Sequence, residues 1–233
     1  MGGATYVVPI QVPPGTNGVQ PSLSVAYNSQ SGDGVLGWGW GLSGLSVISR
    51  TGTDWYHDSK AKGVTYSAND RVVVDGQRLV ALNGNYGANG TTYDTENASF
   101  SIYTSNGILG NGPASITVIT QDGTSMGYGT TSDARIMGEN GNSVAAWRLN
   151  KVKDAFGNYI TYEYDTFDGE SRSISINYTG NDNIGQVPYN KIAFTYQTRS
   201  DKNEMFIKGL GGPKTSNLLT AIAVYCEGAV MKT

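Results

Sequence analysis

The sequence predicts an all-β protein of antiparallel, multi-stranded sheets joined by many hairpins, with very little helix. Composition is the first reason: Gly supplies 32 of 233 residues, Tyr (15) outnumbers Phe (5), and charged residues are only 15%. That balance suits strands and turns; helices draw on Ala, Leu, Glu and Lys. The second reason is period-two alternation of apolar and polar residues in several segments, and the third is a set of Asp-Gly and Gly-Asn dipeptides between such segments. No stretch carries an apolar stripe at i, i+3, i+4 and i+7.

Taken in order, Ser22 to Tyr27 places Leu23, Val25 and Tyr27 on one strand face. Asp75-Gly76 separates Arg71–Val74 from Gln77–Leu82, and Asp122-Gly123 separates Ser115–Thr120 from Thr124–Tyr128; both read as hairpins. A third hairpin turns at Gly157-Asn158, between Trp147–Val152 and Tyr159–Tyr164. Ser173 to Tyr178 and Lys191 to Thr198 alternate again, with Ile192, Phe194 and Tyr196 sharing a face. Residues 83–92 and 179–186, rich in Gly, Asn and Asp, read as surface loops. Leu218 to Tyr225 is a strand followed by a Glu227-Gly228 turn, and the chain stops at Thr233 where a return strand should begin. With an opening Met1-Gly2-Gly3-Ala4 that lacks the basic and apolar parts of a signal peptide, this suggests one segment, residues 1–233, of a longer polypeptide. No linker divides it, so a single continuous β domain is expected.

Charge and composition exclude several function classes. The net charge is −3 with Lys and Arg scattered, so no cationic face for nucleic acid is expected. No apolar run approaches a membrane span of roughly 18 residues. Cys226 stands alone, which rules out an intrachain disulfide and a zinc set, and it reads as a small buried strand residue.

The segment Gly32–Arg50, GDGVLGWGWGLSGLSVISR, contains Gly39-Trp40-Gly41-Leu42-Ser43-Gly44, the spelling of a dinucleotide-binding loop. That motif needs a helix starting within it and an acidic residue about 20 positions on. Here Leu45 to Arg50 is β-branched and alternating, and position 64 is Val. A strand reading fits better: Leu36, Trp38, Trp40 and Leu42 make one bulky face, and Gly37, Gly39 and Gly41 an almost bare one. Such glycines imply a backbone or ring packed close by, and the parity change at Gly44 implies a bend. Trp40 is accordingly expected in a core.

Other candidate chemistry is thin. His57, the sole histidine, lies in Thr53-Asp54-Trp55-Tyr56-His57-Asp58, a polar loop with aromatic anchors in which Asp54, Asp58 or His57 would serve a hydrolase. Asp165, Asp168, Glu170 and Asp182 are oxygen donors without EF-hand spacing, beside the glycines of turns. Tyr27, Tyr162, Tyr164, Tyr178, Tyr196 and Tyr225 suit strand packing, though tyrosines also stack on sugars. No catalytic residue, cofactor or metal ligand is assigned, and no enzymatic activity is expected.

The motifs in their order resemble a known family. Pro9-Ile10-x-Val12-Pro13-Pro14-Gly15-Thr16, Pro21-x-Leu23-Ser24-x-x-Tyr27-Asn28-Ser29 and Gly37-x-Gly39-Trp40-x-Leu42-x-Gly44-Leu45-Ser46-x-Ile48-x-Arg50 are similar to the start of the SpvB-type domain. That domain occurs in Salmonella virulence plasmid B protein and in TcB components of bacterial toxin complexes. Asp70-Arg71 and Asp75-Gly76-Gln77-Arg78-Leu79 fit as well, and Asp154-x-x-Gly157-Asn158-x-Ile160-x-Tyr162-x-Tyr164-Asp165, within residues 147–170, resembles a YD unit of RHS repeat proteins. Gly41 stands where the family would have serine, and Trp38 is unusually large.

The resemblance implies a non-catalytic domain of a secreted or surface-exported bacterial virulence protein. It would contribute to a hollow RHS-like β-shell around a C-terminal toxin, with the RHS-repeat part of its own chain and toxin-complex subunits as partners. Its structural signature would be Gly37, Gly39, Trp40, Leu42, Gly44, Leu45 and Arg50. The alternative is an adhesin-like module that binds glycan or another surface.

Overall fold

The computed structural model describes residues 2–138, 141–207 and 210–233. In chain order the strands are β1 (Thr5–Pro9), β2 (Ser24–Asn28), β3 (Asp33–Gly34), β4 (Gly37–Trp38), β5 (Trp40–Ser43) and β6 (Val47–Thr51). After the short helix α1 (Trp55–Asp58) come β7 (Arg71–Val74), β8 (Gln77–Asn83), β9 (Thr92–Thr95), β10 (Ile102–Asn106), β11 (Ser115–Ile119), β12 (Ser125–Tyr128) and β13 (Arg135–Met137). The last six are β14 (Val144–Lys153), β15 (Asn158–Phe167), β16 (Glu170–Asn181), β17 (Asn190–Ile207), β18 (Leu210–Cys226) and β19 (Ala229–Lys232). The all-β expectation holds. Two compact units are formed, one from Met1–Leu45, Phe156–Met205 and Pro213–Thr233, the other from Ser46–Ala155 with Phe206–Gly212.

The second unit is a closed antiparallel barrel. Its eight strands run β12-β11-β10-β9-β8-β7-β6-β14, and β12 pairs with β14 to close the ring, while β13 adds to β14 outside it. A barrel of this size is just wide enough for side chains to fill. Register shows which side chains do so: Val74 lies opposite Ile48, and Ile48 opposite Trp147. Tyr93, Tyr103 and Val118 form a second row, and Ile116, Tyr128 and Leu149 a third. All nine are buried, Trp147 completely. The Trp147 indole N–H donates to the Pro113 carbonyl at 3.2 Å, so its polar atom is satisfied inside the core. Gly129, at φ +62°, lets the chain pass against that ring, where a Cβ would stand 2.6 Å from Cδ1.

The predicted hairpins form. Asp75-Gly76 has positive φ at both residues, the type I′ geometry that matches strand twist, and pairs Val74 with Gln77. The Asp122-Gly123 turn joins β11 to β12, and Gly157 at φ +89° lies in the turn between β14 and β15.

The first unit is built from open sheets. β15, β16, β17, β18 and β19 run side by side, and β1-β2-β5 make a separate three-stranded sheet. Asp168-Gly169 makes a second two-residue turn with positive φ, pairing Phe167 with Glu170. Ile176, Tyr178 and Ile192 are fully buried here and Phe194 nearly so. Two sequence readings need correcting. β16 extends to Asn181, so the 179–186 loop shrinks to a tip closed by an Asn181–Gln186 bridge. A return strand does follow Glu227-Gly228: β19 pairs Ala229 with Cys226.

Candidate functional site

The glycine-tryptophan segment does not run as one strand. Gly37 (φ +104°) and Gly39 (φ +76°) take conformations that side-chain-bearing residues rarely adopt, and they divide it into β4 and β5. The shared bulky face is therefore corrected. Trp38 pairs with Asp33 in the small β3–β4 hairpin and is 71% exposed, and Trp40 is half-buried. Trp40 and Leu42 do share a face, because no glycine turn separates them.

Close backbone approach holds at three glycines. A Cβ on Gly34 would lie 2.0 Å from the Trp40 carbonyl oxygen, one on Gly39 2.6 Å from the Tyr27 ring, and one on Gly44 2.0 Å from the Ser22 carbonyl oxygen. Gly44 is also the expected bend, at φ +98° between β5 and β6. Nothing lies within 4 Å of a Cβ on Gly37 or Gly41, so those two are not explained by packing.

The sheet this segment completes has an unusual surface. Tyr6 pairs with Tyr27 and Tyr27 with Trp40; Val8 pairs with Val25 and Val25 with Leu42. Directly paired residues point to the same side, so these six form one apolar face, with the Tyr27 and Trp40 ring centroids 5.1 Å apart. None of the six is fully buried, and Tyr6 is 64% exposed.

β1 is the open edge of that sheet. Hydrogen bonds from Ile10 N–H to the Leu23 carbonyl and from Ser29 N–H to the Ala4 carbonyl fix the ladder's phase. Even residues bond to β2, so the N–H groups of Thr5 and Val7 point outward. Pro9 has no N–H to offer. No residue of β1, β2 or β5 is charged.

Each unit has an arginine that fastens chain segments within it. Arg199 is buried and donates to the Gly34 carbonyl at 2.8 Å, to Asp201 at 2.9 and 3.0 Å, and to Asp33, while Leu219 N–H bonds the Val35 carbonyl. The β3–β4 hairpin is thereby held with Trp38 projecting. Asp201 and Asp33 hold the Arg199 guanidinium well above its ordinary pKa, so it is charged at any physiological pH. The i, i+2 spacing of Arg199 and Asp201 on one strand face is the local sequence signal for this pair.

In the barrel, Arg50 donates to the carbonyls of Val144 (2.6 Å), Ser67 (3.2 Å) and Asn111 (3.0 Å), and it meets Asp70 at 3.4 Å. Burial lowers its pKa, and Asp70 works against that. Asp70 in turn accepts from Thr65 N–H and Oγ1, both at 2.9 Å, and Asp75 accepts from Ser46 Oγ at 2.7 Å. These residues do structural work.

His57 sits in a polar cluster. The expected loop is a four-residue helix, α1, N-capped by Asp54, whose carboxylate accepts from the His57 N–H at 2.8 Å. His57 Nδ1 lies 2.9 Å from both Asp54 oxygens, and Nε2 lies 3.0 Å from Glu96 Oε1. Arg78 bonds Asp54 at 2.8 Å and Asp58 at 2.6 Å, and Arg71 bonds Asp58 at 2.9 Å. Both ring nitrogens thus lie within hydrogen-bond distance of a carboxylate. The expectation of aromatic anchors fails: Trp55 is 73% and Tyr56 87% exposed. Beside the cluster lies a cleft of about 540 Å³ lined by Asp54, His57, Lys62, Arg78 and Glu96 among others.

The oxygen-donor candidates are engaged elsewhere. Asp165 pairs with Arg172, Asp168 with Lys202, and Glu170 accepts from the Ser216 and Asn217 N–H groups. Among the described residues no group of three potential ligands gathers. Tyr162, Tyr164 and Tyr178 are buried, and Tyr27, Tyr196 and Tyr225 half-buried. Burial pushes the Tyr162 and Tyr178 hydroxyls up to about 12.

The model of one family, SpvB, Salmonella virulence plasmid 65kDa B protein, matches residues 1–202. The chain belongs to the SpvB family. Its fold is also that of several solved proteins. The N-terminal domain of the effector protein SpvB from Salmonella typhimurium strain LT2 superposes with a TM-score of 0.72 at 16% identity, covering 94% of this chain and 87% of that one. TcdB2-TccC3-Cdc42 gives a TM-score of 0.75 at 18% identity, covering 97% of this chain. A Photorhabdus luminescens Tc holotoxin pore gives 0.72 at 17%, again over 97%. This SpvB-family chain spans only 13% of the chain in each of the last two. No curated protein matches it.

Proposed function

We propose that this SpvB-family chain is a non-catalytic structural segment of an exported bacterial toxin-complex or RHS-type protein, forming part of a hollow β-shell that encloses a C-terminal toxin. The remaining RHS-repeat part of the same polypeptide and toxin-complex subunits are its partners. The observation that carries the reading is the β1 edge: outward N–H groups at Thr5 and Val7, exposed apolar side chains, and no charge on its sheet. Free edges are usually blunted by lysine, proline or bulges, and here only Pro9 does so. An edge of this kind suits continuation by another strand. Family membership and the shared fold with toxin-complex proteins support the same reading.

The test is a structure of the native polypeptide that contains this segment. Strands running on from β1 into an enclosing wall are expected, and a detached bead outside any wall would overturn the proposal.

Exposed Trp55 and Tyr56 beside the polar cleft favour a second reading, glycan or surface binding. It requires specific signals on a glycan array that disappear in Trp55→Ala and Tyr56→Ala.

A further inference from the structure

The α1 turn has no apolar anchor. Its two rings stand in solvent, and the described contacts that hold it are polar: the Asp54 cap, the arginines of β7 and β8, and His57. His57 alone reaches across the cleft to Glu96, which begins the loop between β9 and β10 and lies 39 residues away in sequence. We propose that His57 is a proton-operated clasp that ties the α1 loop to the β9–β10 loop across this cleft, closed when the ring is an imidazolium and released when it is neutral.

The chemistry is set by hydrogen count. An imidazolium has two N–H groups and gives one to Asp54 and one to Glu96. A neutral ring has one N–H, and its other nitrogen presents a lone pair to a carboxylate. The charged groups around the ring decide which tie is lost. Asp54 keeps its bonds from the His57 backbone N–H (2.8 Å) and from Arg78 (2.8 Å) at any pH. Asp58 is held by Arg71, Arg78 and the Asp54 N–H, with no described bond to the ring nitrogens. Lys62 lines the cleft without a described bond to His57. The Glu96 carboxylate meets only His57 among the described contacts, so it is the partner released. Hydrogen bonds to Glu96 and Asp54 raise the His57 pKa above its ordinary 6.5, which favours the closed form. The arginines would hold α1 in place after release; what separates is the β9–β10 loop, with exposed Phe100 near its end.

His57 is the only histidine, so ring resonances in an NMR pH titration report this one site. A pKa above 6.5 is expected, falling towards the ordinary value in Glu96→Gln and partly restored in Glu96→Asp. Hydrogen exchange, corrected for intrinsic pH dependence, should leave residues 52–63 little changed, because the arginines keep them, and should rise severalfold over residues 97–101 as pH passes through that titration. In His57→Asn residues 97–101 should exchange fast at every pH. A His57 pKa indifferent to Glu96→Gln would overturn the clasp, and so would a raised pKa without an exchange step. Neither result bears on the shell reading, which rests on β1.

Discussion

The two units use the same material, antiparallel strands alternating apolar and polar residues, and reach opposite ends. The Ser46–Ala155 barrel closes on itself through β12 and β14, so its ring has no edge and its rows of apolar residues face inward. The three-stranded sheet of the other unit stays open, with its aromatic row of Tyr6, Tyr27 and Trp40 half-covered and β1 unpaired on one side. Closure makes burial and hydrogen bonding local matters. An open, uncharged edge leaves both to whatever comes next, and it is the stronger functional statement of the two.

If that contrast is right, damage to the barrel should show as lost stability and damage to the edge as lost association. The largest effect is expected from Trp147→Ala, a fully buried ring at the centre of a packed row. It should cost about 3 to 5 kcal/mol in urea unfolding. Arg50→Ala should approach that, about 3 to 5 kcal/mol, because it strips three carbonyls of a donor and leaves the buried Asp70 without its ion-pair partner. Arg50→Lys should recover only part of it, since an ammonium cannot serve those directions at once.

Gly44→Ala should cost roughly 1 to 3 kcal/mol or more, through its positive φ and the carbonyl of Ser22. The comparison is sharpened by Gly41→Ala, on open strand backbone, which calorimetry should find near neutral. Val7→Lys is expected to leave stability within about 0.5 kcal/mol. In the native polypeptide the same change should impair shell formation, read as protease access to the enclosed segment.

The smallest effect is the pH dependence from His57. Its folded-state pKa is raised above 6.5, so its stabilising contribution is fully present below that value and is lost as pH rises through the folded pKa. Thermal melts from pH 5 to 9 should show a slight decline over that window in wild type, absent in His57→Asn.

Much of this was legible in the residues. Asp75-Gly76 named its hairpin because two consecutive positive φ angles demand such a pair, and Gly44 announced its bend through broken parity. The parity rule failed at Trp38 for the converse reason: glycine permits a strand to be bare on one face, and it equally permits a turn, and sequence alone does not choose. Tyr27, Tyr162 and Tyr178 pack as their strand positions predict, which requires only alternation. Glu96 was not legible as a partner of His57, and Arg199 was not legible as the clamp on Asp33, because tertiary folding brings together residues 39 and 166 positions apart. Nothing local encodes that proximity.

The central claim is that β1 is an edge made to be continued. Hydrogen exchange at the Thr5 and Val7 amides tests it most directly, measured in this segment alone and again in the native polypeptide that contains it. Fast exchange in the segment and strong protection in the longer protein are predicted. Equally fast exchange in both would mean the edge stays open, and the shell role assigned to it would be wrong.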